Sequence, residues 1–143
     1  MKFVTRTIVA GLILTAGVAF AGKSTDPDAM ARQALMGTIG MNTKVLGEMA
    51  GGKVPFDAAA ATAAKTALTD ASAKIAATFE PKGTDADSKA KPEIWTSWDD
   101  FVAKADVLNK AAVALDVTSA ESIGAGMAGV GGSCKDCHSK YQL

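Results

Sequence analysis

The chain of 143 residues has only two cysteines and one histidine, and all three lie together near its C-terminus. They form the sequence Cys134-Lys135-Asp136-Cys137-His138, which has the C-x-x-C-H spacing typical of covalent haem attachment. On a helix, positions i, i+3 and i+4 share one face, so both thiols and the imidazole would point the same way. The thiols can then form thioethers with haem vinyl groups while the imidazole binds the iron. We therefore predict one covalently attached haem c per chain, held by Cys134 and Cys137, with His138 as axial iron ligand.

Other uses of these three residues fit the sequence less well. A structural zinc site usually needs four Cys or His ligands, and the chain offers only three. A thioredoxin-type redox pair belongs near a βαβ pattern, and the chain has no strand-like alternation of apolar and polar residues. A disulfide between Cys134 and Cys137 would leave the adjoining His138 unexplained.

Residues 1–21 have the features of a secretory signal peptide. Lys2 and Arg6 supply a positive start, residues 8–18 form an apolar run, and Ala19-Phe20-Ala21 fits an A-x-A cleavage site. The apolar run is short for a membrane span. We predict cleavage and export to the periplasm, which leaves one domain, residues 22–143. An uncleaved membrane anchor is the alternative.

The charge of the mature domain argues against nucleic acid as a partner. Without Lys2 and Arg6, the domain has 13 basic and 15 acidic residues, so its net charge is −2. Proteins that bind nucleic acid usually carry a basic patch, and this composition offers none.

Capping and turn residues divide the domain into helices. Asp26 and Pro27 suit the N-cap and first position of a helix, so the first helix is predicted to run to about Ala50. Asp57 can cap a second, alanine-rich helix that is predicted over Ala58–Phe79.

The third and fourth helices follow from an apolar seam and a capping motif. The third is predicted to begin at Pro92, and its apolar residues share one face. These residues are Ile94, Trp98, Phe101, Ala105, Leu108, Ala112 and Leu115. The fourth is predicted to open with a capping box from Thr118 to Glu121, although its glycines could instead mark a loop that ends near Ser133. We predict an all-α, antiparallel four-helix bundle with haem near the C-terminal helix.

The sequence resembles the class II cytochromes c, the family of cytochrome c′ and cytochrome c-556. The matching segments are Ala31-Arg32-Gln33-Ala34-Leu35-Met36, Phe56-Asp57-Ala58-Ala59, Lys91-Pro92-Glu93-Ile94-Trp95, and Gly131 to His138 followed by Tyr141. The haem motif also lies near the C-terminus, whereas class I cytochromes carry theirs near the N-terminus. The resemblance implies redox partner proteins in the periplasm and makes a homodimer through the first two helices plausible.

The sixth iron ligand is the main open question. Because His138 is the only histidine, a methionine is the natural candidate. The first helix contains four methionines, Met30, Met36, Met41 and Met49. Met127 precedes His138 on the same helix by roughly 16 Å at about 1.5 Å per residue, so it cannot reach the opposite haem face. The resemblance implies Met36, because in this family the residue four after the first-helix arginine lies over the distal face. Met36 could also be a core side chain beside an open iron.

Arg32 lies one turn before Met36 and on the same helix face. If Met36 faces the iron, we expect Arg32 to reach the haem edge, where a propionate could accept a charge-assisted hydrogen bond. An exposed arginine is the alternative.

Two functions follow from the two states of the iron. A six-coordinate His138/Met36 iron predicts a one-electron carrier, whereas an open site predicts a five-coordinate cytochrome c′ that binds NO or CO. The chain departs from the cytochrome c′ pattern at Gln142, where a basic residue is common. We predict no enzyme activity, because no distal histidine is available for acid–base chemistry.

Overall fold

The computed structural model describes residues 24–83 and 85–143, so the predicted signal peptide lies outside the described residues. Six helices occur in the order α1 (Pro27–Ala50), α2 (Ala58–Ser72), α3 (Ile75–Phe79), α4 (Glu93–Thr96), α5 (Trp98–Ala114) and α6 (Ala120–Tyr141). The long helices α1, α2, α5 and α6 form the predicted antiparallel four-helix bundle, in which α1 packs on α2 and α6, and α5 packs on α2 and α6. Within the described residues there is no β-strand, and no helix is long and apolar enough to cross a membrane.

The first two helices begin where their capping residues predict. The side chain of Asp26 accepts a hydrogen bond from Ala29 N at 2.7 Å, and that of Asp57 accepts one from Ala60 N at 2.8 Å. Each carboxylate thereby satisfies a backbone donor that has no partner within its helix. Helix α1 ends at Ala50 as predicted, and Gly52 follows with a φ of 67°, a left-handed conformation that favours glycine.

The second helix is shorter than predicted. The segment expected to form one helix is interrupted after Ser72, which divides it into α2 and α3. Asn109 of α5 donates through Nδ2 to the carbonyl of Thr69 at 3.0 Å and to Ser72 Oγ at 2.9 Å. Ser72 Oγ also donates to the Thr69 carbonyl, at 3.0 Å. Side-chain donors therefore compete with the backbone in the last turn of α2, which accounts for the interruption.

The third predicted helix is also divided, at Ser97 between α4 and α5. Ser97 has a φ of −126° and a ψ of 46°, outside the helical range, and its carbonyl accepts hydrogen bonds from Phe101 N at 3.0 Å and Tyr141 Oη at 3.3 Å. The predicted apolar seam survives this bend. Trp98 is half-buried, and the buried members are Ile94, Phe101, Ala105, Leu108, Ala112 and Leu115.

Helix α6 is continuous through its glycines, so the alternative of a loop before Ser133 is wrong. Its capping box uses Ser119 and Ser122 instead of the predicted Thr118 and Glu121. Ser122 N donates to Ser119 Oγ and Ser119 N donates to Ser122 Oγ, each at 3.1 Å. A serine hydroxyl can both donate and accept, so it can take the position that glutamate usually has in this motif.

Candidate haem site

A cavity of about 350 Å³ lies between α1, the segment from α3 to α4, and the C-terminal end of α6. Four of the predicted site residues, Arg32, Met36, Cys137 and His138, contribute to its wall. Most of the remaining lining is apolar and comes from Ala29, Phe79, Ala90, Ile94, Phe101 and the ring of Tyr141. The fold thus brings the start of α1 and the haem-binding motif to the same cavity.

The two cysteines are free and half-buried on α6. Cys137 lines the cavity, whereas Cys134, one turn earlier, packs against the hydrophobic core and is not a lining residue. Burial raises the pKa of both thiols above the ordinary value of 9.0, so both are protonated at neutral pH. The imidazole of His138 is exposed and lines the cavity beside Cys137.

The methionines of α1 occupy different environments. Met36 is half-buried and, among the described residues, is the only methionine that lines the cavity. Met49 is buried in the core, while Met30 and Met41 are 48% and 63% exposed. A ligand to an iron held by His138 must reach the cavity, and only Met36 of these four has that position.

Arg32 is buried, so the alternative of an exposed arginine is wrong. Its Nη1 donates to the carbonyl of Pro81 at 2.7 Å, and its Nη2 donates to the carbonyl of Gly83. Its Nε is buried and finds no acceptor among the described residues. Within the same part of the chain, no carboxylate forms an ion pair with Arg32. A buried cation without a counter-charge is costly, so an anionic group in the cavity would be stabilised here.

The segment between α3 and α4, for which the sequence predicted no site residue, forms one wall of the cavity. Arg32 donates hydrogen bonds to carbonyl groups at the start of this segment. Farther along it, the carboxylate of Asp85 accepts hydrogen bonds from the backbone N–H groups of Asp87 at 2.8 Å, Thr25 at 2.8 Å and Asp26 at 3.2 Å. These hydrogen bonds lower the pKa of Asp85 far below 3.8, and the one from Asp87 has the largest effect. Residues 87–90 then line the cavity.

A second group that sequence reasoning missed lies at the end of α6. The ring of Tyr141 is buried, and its hydroxyl donates to Asp100 Oδ2 at 2.5 Å. Lys140 Nζ donates to the same oxygen at 2.8 Å. The pKa of Asp100 is lowered, mainly by the hydrogen bond from Lys140 and to a smaller extent by the one from Tyr141. The pKa of Tyr141 is raised, mainly by burial and to a smaller extent by its hydrogen bond to Asp100. Tyr141 was visible in the sequence only as part of the haem motif, because Asp100 lies 41 residues away.

The donor groups in and beside the cavity fit a haem. Two thiols and an imidazole lie on one end of α6, a thioether lies on α1, and the walls between them are mainly apolar. Arg32 lines the cavity, and because the Nε of its buried guanidinium has no acceptor among the described residues, a propionate could accept a hydrogen bond from this cation. No group of three or more His, Cys, Asp or Glu side chains within residues 24–83 and 85–143 is arranged to hold a bare metal ion. Fold and site together define a c-type cytochrome built on a four-helix bundle.

Comparison with known proteins identifies the family. A family model described as Cytochrome C′ matches residues 28–142, and the chain belongs to this family, with haem c as its cofactor. A cytochrome c-556 of Agrobacterium tumefaciens (strain apple 185) is 37% identical over 116 residues, which cover 79% of this chain and 92% of the relative. A cytochrome c′ of Rhodopseudomonas palustris is 35% identical over 140 residues, covering 94% of this chain and 92% of the relative.

Solved structures show the same architecture. Cytochrome c′ from Shewanella frigidimarina superposes with a TM-score of 0.71 at 32% identity, and the match covers 80% of this chain and 95% of the Shewanella chain. A ferrous variant of cytochrome c′ from Alcaligenes xylosoxidans with bound NO superposes with a TM-score of 0.71 at 28% identity. That match covers 81% of this chain and 94% of the Alcaligenes chain. The relatives therefore include both cytochrome c-556 and cytochrome c′.

Proposed function

We propose that the protein is a periplasmic one-electron carrier whose haem iron is ligated by His138 and Met36. The observation that carries this proposal is the position of Met36, which shares the cavity with His138 and enters it from α1, a different helix. Haem c, when bound, supplies an iron that alternates between ferric and ferrous states. Ligation by a thioether raises the reduction potential relative to an open site and keeps the iron low-spin.

The residues of the site have separate roles in this proposal. Cys134 and Cys137 form the thioethers that fix the haem to α6, and His138 binds the iron through its imidazole. The apolar lining excludes water from the cavity. Arg32 orients a propionate through Nε while its two terminal nitrogens hold the wall of the cavity. Residues 1–21 direct export, and redox partner proteins of the periplasm exchange electrons with the haem.

Assembly belongs to the same proposal. Helix α1 leaves Met30 and Met41 exposed, which would suit a homodimer formed through α1 and α2. Exposed methionines adapt well to irregular contact surfaces.

A second function is supported by a different observation. The cavity is mainly apolar, and one solved structure similar to this chain carries bound NO. If Met36 remains a neighbour of the iron without binding it, the open position would accept a diatomic gas such as NO or CO.

The optical and EPR spectra of the ferric and ferrous holoprotein separate the two functions. We expect low-spin iron in the wild type and high-spin iron that binds CO in Met36→Leu, a substitution that removes the sulfur and nearly conserves the volume. Met41→Leu, at an exposed position of the same helix, is the matched control and should keep the wild-type spectra. A wild-type iron that is already high-spin and binds CO would replace the carrier with the gas-binding function.

A further inference from the structure

Three residues after His138, the side chain of Tyr141 joins the last turn of α6 to α5. Its hydroxyl donates to Asp100 Oδ2 at 2.5 Å and approaches the Ser97 carbonyl at 3.3 Å. Its ring packs edge-on against Phe101, with 5.3 Å between ring centres and 89° between planes. Tyr141 is 2% exposed and lines the cavity together with His138. The ring and the hydroxyl therefore connect the cavity wall to the first turn of α5.

The backbone around Tyr141 is held by a different part of the chain, the segment between α3 and α4. Its carbonyl accepts a hydrogen bond from Lys91 N at 3.0 Å, and Leu143 N donates to the Lys89 carbonyl at 2.9 Å. An isolated antiparallel bridge between Ala90 and Gln142 results. The end of the chain thus lies between α5 and the segment that forms the cavity wall.

The last turn of a helix is ordinarily its least stable part, because its carbonyl groups lack partners within the helix. His138 lies in this turn, on a helix weakened by glycines and with its own side chain exposed. The carbonyl of His138 accepts a hydrogen bond from Gln142 N at 3.0 Å, so any opening of the chain end would release the backbone that carries the imidazole.

We propose that Tyr141, held by Asp100, is a positioning residue that fixes the orientation of the His138 imidazole toward the iron. The proposal rests on the proposed function in one respect, namely that His138 is an iron ligand. The Tyr141 hydroxyl acts at a distance from the haem, because it holds the backbone of the last turn of α6.

The same helix pair provides a matched control. Lys104 Nζ pairs with Asp136 Oδ2 at 2.5 Å, one turn along α5 from Asp100. The carboxylate of this pair is 66% exposed, and ion pairs with an exposed partner contribute little to stability. If a general link between α5 and α6 were enough to orient His138, removing this pair would have the same effect as removing the Tyr141 hydroxyl.

The test compares the holoprotein with Tyr141→Phe, Asp100→Ala and Lys104→Gln. Phenylalanine keeps the ring and its contact with Phe101, so the fold is retained while the hydroxyl is lost. We expect amide hydrogen exchange of residues 138–143 to become about tenfold faster in Tyr141→Phe, since a hydrogen bond to a charged group is lost. The ferric EPR spectrum should broaden as the orientation of the imidazole becomes less uniform. Lys104→Gln should change neither measurement.

Asp100→Ala should reproduce the faster exchange, and adding Tyr141→Phe to it should have no further effect if the two act as one unit. Unchanged exchange and EPR spectra in Tyr141→Phe, or equal changes in Lys104→Gln, would overturn the proposal. His138→Ala tests the underlying ligation separately. If that variant kept the wild-type ferric spectrum, the ligand assignment would fail, independently of how Tyr141 affects the exchange of the last turn.

Discussion

The guanidinium of Arg32 lies over the indole ring of Trp95, with 5.4 Å between Cζ and the ring centre. Trp95 Nε1 donates to the carbonyl of Phe79 at 2.8 Å, and the ring of Phe79 lies 5.8 Å from the same Cζ. Two aromatic rings and two backbone carbonyls thus surround one buried cation. Helices α1, α3 and α4 meet at this guanidinium, which makes Arg32 a structural element of the cavity as well as a candidate propionate ligand.

Arg32→Lys should destabilise the holoprotein by about 2–4 kcal/mol, because a single ammonium group cannot replace the two hydrogen bonds of the guanidinium fork. Denaturant unfolding followed by circular dichroism measures this change. Lys44→Met removes an exposed cation from the same helix, whose ion pair with Glu48 spans 3.8 Å, and should change stability by less than about 0.5 kcal/mol.

The reduction potential separates the two roles of Arg32. Arg32→Lys keeps a positive charge beside the cavity, whereas Arg32→Met removes it, so we expect the larger shift in potential and in its pH dependence from methionine. Potentiometric titration of both variants measures the difference. Equal potentials in wild type, Arg32→Lys and Arg32→Met would leave Arg32 a purely structural residue.

Features determined by neighbouring residues could be predicted from the sequence. The caps Asp26 and Asp57 act on backbone groups three residues ahead, so local sequence identifies them. The capping box of α6 was predicted one residue too early, because Thr118 with Glu121 matches the usual pattern, whereas the observed pair has Ser122 in the position that glutamate usually takes. The haem motif is likewise local and needs no tertiary information.

Features determined by distant residues could not be predicted. Asn109 contacts the end of α2 at Thr69, which lies 40 residues away in the sequence. The hydrogen bond from Arg32 to Pro81 joins residues 49 positions apart, and that from Tyr141 to Asp100 joins residues 41 positions apart. Each of these contacts depends on how the helices pack, and no spacing along the chain encodes it. Sequence therefore predicted the haem-attachment motif near the end of α6 but not the residues that hold that end in place.

Two glycines should respond oppositely to alanine. Gly132→Ala places a methyl group in open space on a helix and should stabilise the protein by about 0.5–1 kcal/mol. Gly83→Ala places Cβ in steric conflict with Asp26 Oδ1 and 2.7 Å from Asp28 Cβ, so it should displace the N-cap of α1 and cost at least about 1 kcal/mol. Thermal unfolding of the two variants gives the comparison. Stabilisation by Gly83→Ala would contradict the close packing of this segment on α1.

If Cys134 and Cys137 attach the haem as proposed, replacing both should release it and weaken the fold. Cys134→Ser/Cys137→Ser leaves an apolar cavity of about 350 Å³ without its cofactor, and a bound group that stabilises only the folded state is lost. We expect lower helicity and a lower unfolding temperature, measured by circular dichroism. Ser139→Ala, an exposed position just after the motif, is the control. A double variant as helical and as stable as the wild type would show that the bundle does not need haem.

The stability of the cavity wall should depend on pH through Asp85. Its pKa lies far below the ordinary 3.8, because backbone N–H groups donate hydrogen bonds to the charged carboxylate. The N–H of Asp87 has the largest effect. A group whose pKa is lowered on folding contributes stability above its unfolded pKa and loses it as pH falls through the folded pKa. Asp85→Asn should therefore destabilise the protein at pH 7, and the difference from wild type should shrink progressively below about pH 4.

Denaturant unfolding at a series of pH values between 7 and 2 would measure this difference. The amide of Asp85→Asn keeps one acceptor oxygen but loses the charge that several N–H groups share, so the comparison isolates the titrating carboxylate. Asp70→Asn, at an exposed position of α2, is the control and should stay close to wild type throughout. A deficit in Asp85→Asn that stays constant across the whole range would mean that the side chain acts through its shape. In that case, Asp85 would not contribute to the acid sensitivity of the cavity wall.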